Sequence, residues 1–122
     1  MSKIAGGYFI MARAIQESVI AQAPPCTREL WVWLIRSANF KLNARSNIKR
    51  GELIATTEDM KNGLSWQIGY RKESYTTYQI DRSLSFLKKE KMISSKRTSR
   101  GLRITICKYD YYQDFDNYDV EK

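Results

Sequence analysis

The chain has no histidine, only two cysteines and two prolines, and no apolar run that approaches the roughly 18–20 residues needed to span a bilayer. Each shortage removes a class of function. Without histidine the commonest general base and zinc ligand is missing, and Cys26 and Cys107 stand too far apart in sequence for a paired metal motif. No nucleophile stands out with a partner base. Glu58 and Asp59 are adjacent, so they do not share a helix face as an acid–base pair would need. The expectation is a protein that binds and is not an enzyme, with no metal and no cofactor. Two isolated thiols read as small, buried or half-buried residues in a reducing compartment. Residues 1–7 lack signal-peptide architecture, and Gly6-Gly7 is a flexible entry, not a phosphate loop, so a cytoplasmic setting is expected. There is no internal repeat and no low-complexity tract.

What the chain does have is size and charge. Its 122 residues suit one domain, and 43% hydrophobic content is enough for a core. Against 13 Asp and Glu it carries 21 Lys and Arg, a formal +8, which points to a polyanionic partner: nucleic acid or an anionic membrane surface. The charge is segregated. From Tyr70 to Lys108 there are eleven basic and three acidic residues, whereas from Tyr109 onward five acidic residues face Lys122 alone. No amphipathic helix joins a basic face to a large exposed apolar one, which favours nucleic acid over a membrane.

Apolar spacing predicts a first helix over 10–21, from Ile10, Ala14, Ile15, Val19 and Ile20. Pro24 and Pro25 end it, and Thr27 caps a second helix running to about Phe40. Leu30, Trp33, Leu34 and Ala38 form that helix's core face, while Trp31 and Ile35 form a second apolar face. Either the first helix covers this pair or a partner does, so it is a candidate face for a homodimer or another protein partner. Residues 41–50 read as a basic, Asn-rich loop and 51–56 (GELIAT) as a strand. Thr56 and Asp59 resemble a capping box for a short helix with Met60 and Leu64, followed by a loop over 63–74. Thr76 or Ser74 caps the clearest helix, whose Ile80, Leu84 and Leu87 make one stripe. Two strands, 92–98 and 102–108, close through Ser99-Arg100-Gly101, with Gly101 supplying positive φ. The aromatic residues after Lys108 (Tyr109, Tyr111, Tyr112, Phe115 and Tyr118) read as a strand end packing on the core, with a base-stacking platform as the alternative.

This order describes an α+β, mostly α fold: a winged helix-turn-helix with an N-terminal helical extension and a C-terminal β-hairpin wing. The domain would occupy 1–113, with 114–122 an acidic tail or the start of a linker. On a helical wheel Tyr78, Arg82, Ser85 and Lys89 lie opposite the apolar stripe. These are groups that read base edges by hydrogen bonds and phosphates by charge. Thr76, Thr77 and Gln79 sit at the helix N-terminus, where backbone N–H groups favour phosphate. The wing adds Lys96, Arg97, Ser99, Arg100 and Arg103. DNA, duplex in the first instance, is the expected partner.

Three stretches also resemble a known family. IKRGELIATT at 48–57, SLSFLKKEKMI at 83–93 and TSRGLRITICKYDYYQ at 98–113 are similar to the N-terminal winged-helix domain of phage and mobile-element replication initiators, related to the DnaD-like primosomal proteins. The closing Ile106, Tyr109, Asp110, Tyr112 and Gln113, the opening Gly7-Tyr8-Phe9 and the helix with Trp31 and Trp33 extend the likeness over roughly 6–113. The resemblance implies DNA binding in replication initiation on phage or plasmid DNA in a bacterial cell. A transcriptional regulator, or an interaction module that assembles a replisome, would use the same scaffold. The chain departs from the pattern after Ser65-Trp66, where 67–75 form an insertion before the recognition helix. The family commonly carries a second region beyond a linker, so an excised domain or a short stand-alone member is expected.

Overall fold

Two prolines open the first α-helix. α1 (Pro25–Ser37) has Pro24 as its N-cap residue and Pro25 in its first turn, where a missing N–H costs nothing. The computed structural model describes residues 2–39 and 47–119. Among these, the chain continues with β1 (Glu52–Ala55), α2 (Thr57–Gly63), β2 (Trp66–Ile68), β3 (Arg71–Glu73), α3 (Thr77–Lys89), β4 (Ile93–Thr98), β5 (Gly101–Ile106) and α4 (Tyr109–Tyr112). The architecture is α+β, four helices with a small antiparallel sheet of order β1-β5-β4, and β2 and β3 pair separately. Phe40, residues 41–46 of the expected basic loop and residues 120–122 of the acidic tail lie outside the described residues.

The sheet buries one face. Leu53 pairs with Ile104 and Ile93 with Ile106, and all four are buried, in one cluster with Ile80, Leu84 and Leu87 of α3 and Leu30 and Leu34 of α1. Fully buried aliphatic side chains of this kind each contribute about 1.5–3 kcal/mol. Inside that cluster is one polar contact. Thr27 and Ser83 hydroxyls lie 2.9 Å apart and both are buried, so each satisfies the other and ties α1 to α3. The contact fixes which side of α3 turns inward. Thr27 is thus a buried residue of the helix's first turn and not its cap: its partner is on another helix.

α2 begins as expected. Thr56 accepts from the Asp59 N–H while Asp59 accepts from the Thr56 N–H, and Met60 and Leu64 are buried. β4 and β5 also form as expected. Gly101 has φ +131°, and a Cβ there would stand 2.9 Å from the Ala55 carbonyl oxygen, so both conformation and space call for glycine.

Four further expectations are corrected. Residues 10–21 form no α-helix but two short 3-10 turns, Arg13–Glu17 and Val19–Gln22, broken at Ser18, whose backbone is extended and whose hydroxyl donates to the Ile15 carbonyl. Ile10 is held instead by Gln113, which accepts from its N–H at 2.8 Å and donates to its carbonyl at 2.9 Å. The second correction concerns Trp31 and Ile35, which are 5% and 8% exposed within the chain itself. Ile15, Ile20 and Met92 line the same apolar cleft, so the pair belongs to the core and presents no open face. Third, residues 66–73 are a β-hairpin and not a loop. The aromatic segment after Lys108 forms α4 in place of a strand end, with Tyr109 buried and Tyr111 and Tyr112 exposed. Cys26 is buried and Cys107 half-buried, both free.

Candidate nucleic-acid interface

α3 has well-defined ends. Thr76 accepts from the Gln79 N–H at 3.1 Å, and the Gln79 side chain accepts from the Thr76 N–H at 2.8 Å. These two residues therefore build the helix start, and their side chains are engaged there. At the other end Lys91 adopts φ +59° and Met92 donates to the Leu87 carbonyl, a Schellman closure with lysine where glycine is usual.

Between those ends burial follows the helical period. Ile80, Ser83, Leu84 and Leu87 are buried, and Thr77, Tyr78, Arg82, Ser85, Lys88 and Lys89 are exposed. The expected row of Tyr78, Arg82, Ser85 and Lys89 is thus one outward face. Within it Arg82 Nη1 donates to the Tyr78 hydroxyl at 3.1 Å, and its guanidinium lies 5.7 Å from that ring's centre. Tyr78 steadies Arg82 along the helix, which reduces the freedom a bidentate contact must freeze. Thr77 lies beside α2, where Lys61 Nζ reaches its hydroxyl at 3.5 Å.

The β4–β5 hairpin sorts its cations by register. Ile93 and Arg97 share the core-side face of β4, and Lys96 lies on the reverse face opposite Arg103. Arg97 therefore points to the side on which α3 packs, and Lys96 away from it. Ser99 and Arg100 form the exposed tip, where Thr98 donates to the Gly101 carbonyl at 2.7 Å and accepts from the Arg100 N–H at 3.2 Å.

Arg103 is engaged elsewhere. Its Nη1 lies 3.0 Å from Glu52 Oε1, with both side chains largely covered, and also donates to the Asn47 carbonyl. Burial alone would push the Glu52 carboxyl up, but hydrogen bonds from the Lys49 N–H, Thr105 and Arg103, with the Arg103 charge, hold it below its ordinary value. Arg103 braces β5 against β1, so we remove it from the expected interface. By contrast, Arg82, Lys88, Lys89, Lys91, Lys96, Arg97 and Arg100 have no carboxylate partner among the described residues.

No family model matches the chain, and neither curated proteins nor solved structures give a match. No group of acidic, cysteine or histidine side chains among the described residues could hold a metal, and no helix among them is long and apolar enough to cross a membrane.

One surface element escaped sequence reasoning. The β2–β3 hairpin stands between α2 and α3 with Trp66, Ile68, Tyr70, Arg71 and Lys72 exposed. Its signal was Gly69-Tyr70 between two three-residue runs. Gly69 has φ +60° at the first position of a two-residue turn, as a II′ hairpin requires. At its base the Trp66 ring lies 5.2 Å from that of Tyr75, whose hydroxyl donates to Glu29 of α1 at 2.8 Å. Burial, with the Glu29 hydrogen bond and charge, pushes the Tyr75 hydroxyl up to about 12.

Proposed function

We propose that this chain is the DNA-binding domain of a phage or mobile-element replication initiation protein, folded as a winged helix with α3 as recognition helix and β4–β5 as wing. The element order α1-β1-α2-α3-β4-β5, interrupted by the β2–β3 hairpin between α2 and α3, with sheet order β1-β5-β4 supports the fold reading. One observation carries the DNA reading: exposed Arg82 and Lys89 on the outer face of α3, and Arg97 and Arg100 on the α3 side and tip of the hairpin, have no carboxylate partners among the described residues. Unpaired cations gathered on a helix face and an adjoining hairpin suit a major groove and its flanking phosphates. The replication role rests on the resemblance of residues 48–57, 83–93 and 98–113. An assembly module loses its motive, because Trp31 and Ile35 are covered within the chain.

The test is equilibrium binding to a panel of duplexes, with Arg82→Ala alongside the wild type. Arg82 is placed to read a guanine edge, so its loss should cost about 1–3 kcal/mol on the preferred site and flatten preference at one position. A wild type that binds no duplex at low salt refutes the proposal. Uniform weakening by Arg82→Ala on every sequence would reassign Arg82 to a phosphate.

A further inference from the structure

The segment that departs from the phage-initiator pattern is the hairpin, and the proposed duplex contact makes no use of it. Its base is fixed by Trp66, Tyr75 and Glu29, whereas its tip is open: Tyr70 is fully exposed and Ile68 is 50% exposed. Of its two strands only Glu73 is half-buried. A pair of three-residue strands is marginal by itself, so tying its root to α1 and the start of α3 keeps an otherwise coreless element in shape. Large apolar groups held out on such an element mark a contact site.

The charges beside the tip indicate the partner. Arg71 is shared with Glu73 at 3.7 Å, and Lys72 has no carboxylate among the described residues. By register Ile68 and Arg71 share one face and Gln67 and Lys72 the other, so a cation flanks the tip on each side. A second copy of the chain meeting this tip across a two-fold axis would set these cations against each other. A polyanion with flat apolar faces would not. Unpaired bases offer such faces, whereas bases in an intact duplex are already stacked on one another.

We propose that the β2–β3 hairpin stacks on a base exposed where the duplex is opened, with Tyr70 and Ile68 against the base and Lys72 on an adjoining phosphate. This rests on the DNA reading of α3 and adds preference for opened DNA. The hairpin joins the N-terminal end of α3, so it would meet the DNA beside the segment that α3 occupies.

The experiment uses the full chain and two DNAs of one sequence, a perfect duplex and the same duplex with a short central bubble containing 2-aminopurine. Wild type should bind the bubble about tenfold more tightly, the worth of roughly one stacked base, and change the 2-aminopurine emission. Tyr70→Ala should bring the ratio to about one with duplex affinity unchanged, and Tyr70→Phe should keep most of the preference. Tyr70 is exposed, so neither variant threatens the fold, which a thermal melt checks. A wild-type ratio near one, or a ratio that survives Tyr70→Ala, overturns the inference. So does a self-associating wild type that Tyr70→Ala makes monomeric, which would give the tip to a second copy. If Arg82→Ala and Arg100→Ala weaken duplex binding while no bubble preference exists, the hairpin proposal fails alone. If duplex affinity ignores those two variants while the bubble preference stands, the α3 reading fails alone.

Discussion

Arg100→Ala isolates one charge at the tip of the β4–β5 hairpin. The turn itself survives the change, because its shape rests on Thr98, which donates to the Gly101 carbonyl and accepts from the residue 100 N–H. Besides Arg82, which is assigned to a base edge, four exposed cations without a carboxylate partner among the described residues (Lys88, Lys89, Arg97 and Arg100) lie on α3 or on the α3 side and tip of the hairpin. At about −0.9 per neutralised phosphate they give a log–log salt slope of about −3.6 on duplex DNA. Raising salt from roughly 50 to 200 mM should then weaken wild-type binding about 150-fold. Arg100→Ala should bring the slope to about −2.7 and the loss to about 40-fold. Fluorescence anisotropy across that salt range measures both. The register adds a contrast: Arg97→Ala should shift the slope as Arg100→Ala does, and Lys96→Ala, on the reverse face, should leave it unchanged. An unchanged slope in Arg100→Ala removes the hairpin tip from the interface. Equal shifts for Lys96→Ala and Arg97→Ala would refute the reasoning from register.

Tyr75 links stability to alkaline pH. Its hydroxyl sits at about 12 in the folded chain, above the unfolded value near 10, so its contribution is complete below about pH 10 and is lost as pH rises toward 12. Denaturant melts should show that loss in wild type and not in Tyr75→Phe, which costs about 1 kcal/mol at neutral pH; equal alkaline sensitivity in the two refutes the assignment. Trp31→Glu/Ile35→Glu places two carboxylates at sites that are 5% and 8% exposed, and truncating a buried tryptophan alone costs about 3–5 kcal/mol. The double variant should lose its cooperative thermal transition, and a variant that stays folded but dissociates from a dimer would return the pair to an interface.

The elements legible in the sequence carry their own boundaries. α2 is announced by Thr56 and Asp59, α3 by Thr76 and a stripe at helical spacing, and β4 and β5 by alternation with a short turn between them. The failures have distant causes. The spacing of Ile10, Ala14 and Ile15 suits a helix, but Gln113, at the far end of the chain, holds the Ile10 backbone with two hydrogen bonds. A hydroxyl near a helix start resembles a cap, but the partner of Thr27 is Ser83 on α3. Trp31 and Ile35 read as a second face whose cover periodicity cannot name. The β2–β3 hairpin fails for a local reason: three-residue strands are too short to show alternation.

For the candidate site, residue type was legible and availability was not. Lys96 and Arg97 are neighbours with the same charge, yet a two-residue period puts them on opposite faces of the sheet. Arg103 belongs to the same basic stretch but is neutralised by Glu52, which only the pairing of β1 with β5 brings near. The position of that pair has a physical reason. A charge held over the half-covered middle of a sheet needs a partner to offset lost hydration, whereas one on an exposed helix face or hairpin tip does not. Folding thus sorts the cations into those that hold the sheet together and those left exposed, which on the proposed reading meet phosphates. If all eight net charges acted on phosphates, the salt slope would be about −7 in place of about −3.6. The measured slope therefore reports how many of the chain's charges the fold leaves available.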